Sequence, residues 1–118
     1  MESILTSIKK LLGIPEDQTN FDIDIIIHIN SVFMILTQMG VGPEEGFVIA
    51  DSYPQWTDFI PDDGPNLELV KTYVYLKVRL LFDPPASSTV LASIEKLISE
   101  FEWRLHVKAE MEADSEEE

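Results

Sequence analysis

Residues 73–105, YVYLKVRLLFDPPASSTVLASIEKLISEFEWRL, decide the fold. They read as two apolar-striped helices separated by Asp83-Pro84-Pro85-Ala86-Ser87-Ser88. Pro84 disfavours helical geometry at the residue before it, so the first helix stops at Phe82. Ser87 or Ser88 then caps the second, because a hydroxyl accepts from an unpaired N–H of the first turn. Each helix also carries a residue that a lone core does not explain. Lys77 falls inside the apolar arc of the first, and Trp103 lies on the polar back of the second. Such misfits point to surfaces completed by other protein copies.

The upstream helix starts at Gly64-Pro65-Asn66, with Pro65 in a tolerated first-turn position. At about 100° per residue, Leu67, Leu69, Val70, Tyr73, Val74, Leu76, Val78, Leu80 and Leu81 cover more than half its circumference. A lysine buried there needs a carboxylate, for which Asp22 and Asp24 are candidates, or a stem that threads outward at the domain edge. The downstream helix runs to about Met111 and sets Leu91, Ile94, Ile98, Phe101 and Leu105 on one seam by steps of three and four. Trp103 sits roughly 160° from that seam, where an indole is costly to leave in water and typical of an interface.

Working outward, Glu2 to Leu12 reads as a helix stopped by Gly13 and Pro15. A second helix runs from a cap at Asn20 or Asp22 to Met39, with Phe21, Ile25, Ile29, Val32, Leu36 and Met39 at helical spacing. Apolar residues flank that stripe as well, so this helix is expected at the centre. Val41 to Pro61 is broken by Gly42, Pro43, Gly46, Pro54 and Pro61. Within it, Phe47 to Ala50 suits a short strand and Gln55 to Ile60 a single helical turn. Its aromatics Phe47, Tyr53, Trp56 and Phe59 read as a lid folded back on the core, or as a contact surface for a partner. The expected fold class is all-α: about four helices in a small bundle, with a long irregular loop between helices 2 and 3. Residues 1–109 form the helical domain and residues 110–118 an acidic, disordered tail.

Composition narrows the function. The 118 residues suffice for one core, and 45% apolar content excludes wholesale disorder. No apolar run approaches the about 18 residues of a membrane span, and no signal-peptide pattern opens the chain. The absence of cysteine excludes thiol catalysis, disulfides and Cys-ligated metals. Net charge is −14, and six of the carboxylates fall in residues 110–118, so the body itself carries −8. An acidic surface of this kind repels phosphate backbones and disfavours nucleic-acid grip.

The run Tyr73-Val74-Tyr75-Leu76-Lys77-Val78-Arg79-Leu80-Leu81-Phe82-Asp83-Pro84-Pro85, followed by Glu100-x-Glu102-Trp103-Arg104-Leu105, resembles the small head–tail connector proteins of tailed bacteriophages and prophages. The likeness extends less specifically through Trp56-Thr57-Asp58-Phe59 and the opening helices. It implies a small all-helical adaptor, made in the bacterial host cytoplasm and resident in the virion at the head–tail interface. It further implies a homo-oligomeric, typically dodecameric ring below the portal protein after DNA packaging. That ring would prolong the channel, let DNA pass without specific binding, and offer a platform to a tail-completion or stopper protein. No membrane contact, cofactor, metal or catalytic centre comes with the family. Trp56, Phe59, Lys77, Phe82, Asp83, Pro84, Trp103 and Arg104 are the candidate interface residues.

Catalytic readings find little support in the residues. His28 and His106 stand in no metal-ligand spacing and read as helix-surface or core residues. Gly-Pro-Glu-Glu-Gly at 42–46 lacks the Gly-Lys-Ser/Thr ending of a phosphate loop. Asp58, Asp62 and Asp63 lack the spacing of a calcium loop, and the central helices contain no Glu-x-x-Glu pair. The alternative to a connector is a cytoplasmic helical adaptor that binds a single phage or host partner through the Trp56 and Trp103 surfaces. An acidic DNA mimic fits poorly, because much of the charge is concentrated in a short tail.

Overall fold

A computed structural model describes residues 3–61 and 65–117, with residues 65 and 113–117 described by their backbone alone. The order is α1 (Ile4–Leu12), α2 (Asp22–Gln38), α3 (Trp56–Phe59), α4 (Pro65–Phe82) and α5 (Ser88–Glu117). No strand occurs among the described residues, so the all-α class holds, with α3 as the single turn expected after Gln55. Glu2 and Gly64, expected at helix starts, lie outside the described residues, as do Asp62 and Asp63.

Local chemistry explains most boundaries. Ser3 caps α1 by accepting from the Thr6 N–H at 3.1 Å. Gly13 ends it at φ +81°, and the Ile14 N–H reaches back to the Lys9 carbonyl at 2.9 Å. The cap of α2 departs from expectation. Phe21 occupies that position without a side-chain bond, because Asp22 sits one residue inside the helix and faces Lys9. At the start of α5, Ser87 is the cap, its Oγ accepting from the Val90 N–H at 3.3 Å. The backbone of α5 stays helical through Glu117, past the boundary expected at residue 110. Glu, Met and Ala are good helix formers, so no local breaker stops it there.

The centre is shared by α2 and α4: α4 packs against α1, α2 and α5, and α2 packs against α1, α4 and, through Phe33, against Trp56 and Phe59 of α3. The core gathers Ile4 and Ile8 of α1, Ile25, Ile29 and Phe33 of α2, Val70, Tyr73 and Val74 of α4, and Ile94, Ile98 and Leu105 of α5. By its 30 residues α5 is about 45 Å long, close to the 48 Å long axis of the molecule. Its main packing is one-sided, along α4.

The segment after α2 folds back as a lid. Phe33 stacks on Phe59 with centroids 4.5 Å apart and meets Phe47 and Trp56 edge-on. Gly42 is required there twice over: its φ is +85°, and a Cβ would stand 2.4 Å from Phe59 Cε1. Phe47 to Ala50 does not become a strand, because no second strand lies beside it. Instead the Asn30 side chain acts as one, donating to the Ile49 carbonyl at 2.9 Å and accepting from the Ile49 N–H at 2.8 Å.

Candidate functional site

The candidate interface residues separate into three places. Trp56 and Phe59, each 1% exposed, belong to the lid cluster. The Trp56 Nε1–H donates to Ser7 Oγ at 2.8 Å and Ser7 in turn donates to the Ile4 carbonyl, so the indole ties the lid to α1. Phe82, Asp83 and Pro84 form the corner between α4 and α5. Phe82 is half-buried, with its ring edge-on to Phe21 at 5.5 Å and to His28 at 6.4 Å. Asp83 and Pro84 are exposed, and the Asp83 N–H closes the last turn on the Arg79 carbonyl at 2.8 Å. Trp103 and Arg104 lie together on the solvent side of α5. Arg104 donates to Glu100 Oε1 from both Nε (3.3 Å) and Nη2 (2.8 Å), while Trp103 is 66% exposed.

Lys77 is half-buried and has no carboxylate partner among the described residues. The buried lysine of this fold is Lys9, only 2% exposed. Its ammonium lies 2.9 Å from Asp22 Oδ1 and donates to the carbonyls of Glu16 (3.0 Å) and Gln18 (2.8 Å). Asp22 Oδ1 itself accepts no aligned hydrogen bond, so its contact with Lys9 is charge against charge. Asp22, expected as a partner for Lys77, instead holds Lys9 of α1, brought near by the turn at Gly13. The α4–α5 packing has its own polar link. The phenol of fully buried Tyr73 donates to Glu102 Oε2 at 2.8 Å. Burial pushes the phenol far above its ordinary range, and the hydrogen bond to Glu102 and that carboxylate's charge push the same way.

A surface that the sequence reading passed over is the outer side of α2. Ile23, Ile27 and Met34 are 75%, 56% and 64% exposed. They share the face opposite Ile25, Ile29 and Leu36, which are fully buried. The signal was present: Ile25 to Pro43 contains no Asp, Glu, Lys or Arg. A helix apolar on all sides is ordinarily covered on all sides, and here one side is bare.

An open groove of about 830 Å³ lies where α5 passes the end of α2, lined by Gly40, Val41, Pro61, Leu105 and Lys108 among others. In its lining, Lys108 is turned to Glu112 at 3.5 Å. Among the described residues no three His, Asp or Glu side chains gather as metal ligands, and no helix is long and apolar enough to cross a membrane.

Residues 4–112 match the family model for phage connector proteins. The chain belongs to the phage connector protein family. The match runs from the first residue of α1 deep into α5, so this connector is related to its family through the whole helical body. It includes the Tyr73–Pro85 and Glu100–Leu105 segments whose resemblance pointed the same way. No curated protein and no solved structure matches the connector significantly. The family is structural, and its members act among other phage head and tail proteins.

Proposed function

We propose that this connector joins the phage head to the tail. It assembles as a homo-oligomeric ring, a dodecamer by family resemblance, below the portal protein. The ring extends the DNA channel and receives a tail-completion or stopper protein, with no catalytic step. In this reading it is a virion component at the head–tail interface. The family match over residues 4–112 carries the proposal. Two features support it physically: α5 is packed along one side with an indole exposed on the other, and α2 leaves an apolar face bare. A closed monomer would hide both. Net charge of −14 suits a channel wall from which DNA slides without adhering.

Sedimentation of the protein alone, and mixed with the portal ring of the same phage, tests the role. Co-sedimentation in equal numbers of subunits is expected. A monomer that ignores the portal at every salt and protein concentration would replace the connector reading with that of a single-partner adaptor.

A further inference from the structure

Two unpartnered surfaces lie on different helices of one chain, and their chemistry matches. On α2, Ile27 and Met34 flank Ser31 along the exposed face. Ser31 is small, and its Oγ already donates to the Ile27 carbonyl at 3.0 Å. The dent between the two large side chains therefore has an apolar rim and a hydroxyl that needs no water. One end of the stripe is marked by Asp24, exposed and without an ion-pair partner among the described residues.

On α5, Trp103 projects from a face on which two acids, Glu100 and Glu110, are engaged within the helix. Glu100 pairs with Arg104 at 2.8 Å, and Glu110 meets His106 at 3.1 Å. Lys96 lies about 20° from Trp103 around the helix and, like Asp24, has no ion-pair partner among the described residues. Both pairs have the same spacing. Asp24 to Ser31 and Lys96 to Trp103 are each seven residues, about 10 Å of helix.

We infer that the Ile27–Ser31–Met34 dent of one copy receives Trp103 of a second copy, with Lys96 of that copy set against Asp24. With α2 and α5 running parallel across the contact, the indole fills the dent as the charges meet. Charge selects this occupant. Copies of a −14 chain repel one another over most orientations, whereas this contact joins an uncharged stripe to a face that offers a free cation. Using a different surface on each partner, it is heterologous, the type of contact that repeats around a ring. The inference rests on the self-assembly in the connector reading and specifies its surfaces.

The test uses the full chain, alone and on the portal ring. A zero-length carbodiimide applied to mixed isotope-labelled and unlabelled protein should yield an intermolecular Asp24–Lys96 link by mass spectrometry. Trp103→Ala should weaken self-association by about thirtyfold or more, as loss of a buried interface anchor does, with the melting temperature of the dilute, dissociated chain unchanged because Trp103 is exposed. Asp24→Lys and Lys96→Asp should each weaken assembly, and the double swap should restore it. Assembly that proceeds normally with Trp103→Ala and ignores the charge swaps overturns this interface while leaving the connector reading intact. Disulfide-linked dimers of Ser31→Cys with itself would instead show α2 meeting α2, and also overturn it. A wild-type chain that neither self-associates nor joins the portal removes the connector reading and this interface together.

Discussion

Removing the Lys9 ammonium while keeping its stem, by Lys9→Met, should destabilise the protein by about 3 kcal/mol. Breaking a buried ion pair from one side typically costs about 3–5 kcal/mol, because the other charge is stranded. Here Asp22 retains 25% side-chain exposure and can recover some hydration, which places the loss at the low end. The carbonyls of Glu16 and Gln18 lose a donor, but both residues are exposed and can turn to water. A chain of this size has a urea slope of about 1.5 kcal/mol per M, so the midpoint should fall by about 2 M. Asp22→Asn should lose less, since the two carbonyls still hold the ammonium. Lys9→Met with Asp22→Asn should lose less than the two single losses together, because it removes both charges. Urea unfolding followed by far-ultraviolet circular dichroism reads all four proteins. A loss under about 1 kcal/mol for Lys9→Met, or additive losses in the double variant, would refute a coupled buried pair.

Three further outcomes follow from packing and titration. Tyr73 stays protonated in the fold while the unfolded chain ionises from its ordinary value of 10.0. Its contribution is therefore constant below that value and is lost as pH rises through it, by up to about 1.4 kcal/mol per pH unit. Tyr73→Phe should be less stable than wild type near neutrality by about 1 kcal/mol, and the gap should narrow from about pH 9 to about pH 11; a constant gap would remove the linkage. Gly42→Ala should cost about 2 kcal/mol or more, since it adds a left-handed alanine and a clash with the Phe59 ring, as thermal melting would show. Asn30→Leu should cost about 2 kcal/mol by stranding the Ile49 N–H and carbonyl, and faster amide exchange at Ile49 than at Ile29 checks that the effect stays local.

Some features of this connector were legible because their causes lie a few residues apart. The limits of α4 at Pro65 and Phe82 follow from one proline that opens a helix and another that closes it. The single turn of α3 is held locally, the Gln55 N–H donating to Asp58 Oδ2 at 2.8 Å. The family resemblance rests on contiguous residues of the α4–α5 hairpin. The candidate site was legible only in part. The exposure of Trp103 followed from its angle from the seam, whereas Trp56, singled out as a loop aromatic, is turned inward to Ser7 by the fold. An aromatic in a loop has no periodicity from which to read its direction.

By itself, the sequence determined the all-α class, the α4–α5 corner and an acidic, cysteine-free surface, since these depend on backbone sterics, side-chain period and composition. Only the tertiary structure decided which lysine is buried, how α2 and α4 share the centre and which apolar face is bare. Lys77 was the lysine expected to need Asp22, yet Lys9 holds it, because α1 folds back beside the start of α2. Both α2 and α4 are apolar over most of their circumference, and periodicity reports how much surface wants burial, not how many neighbours arrive to bury it. With α1, α4 and the aromatic lid all gathered on the inner sides of α2, its outer stripe was left uncovered.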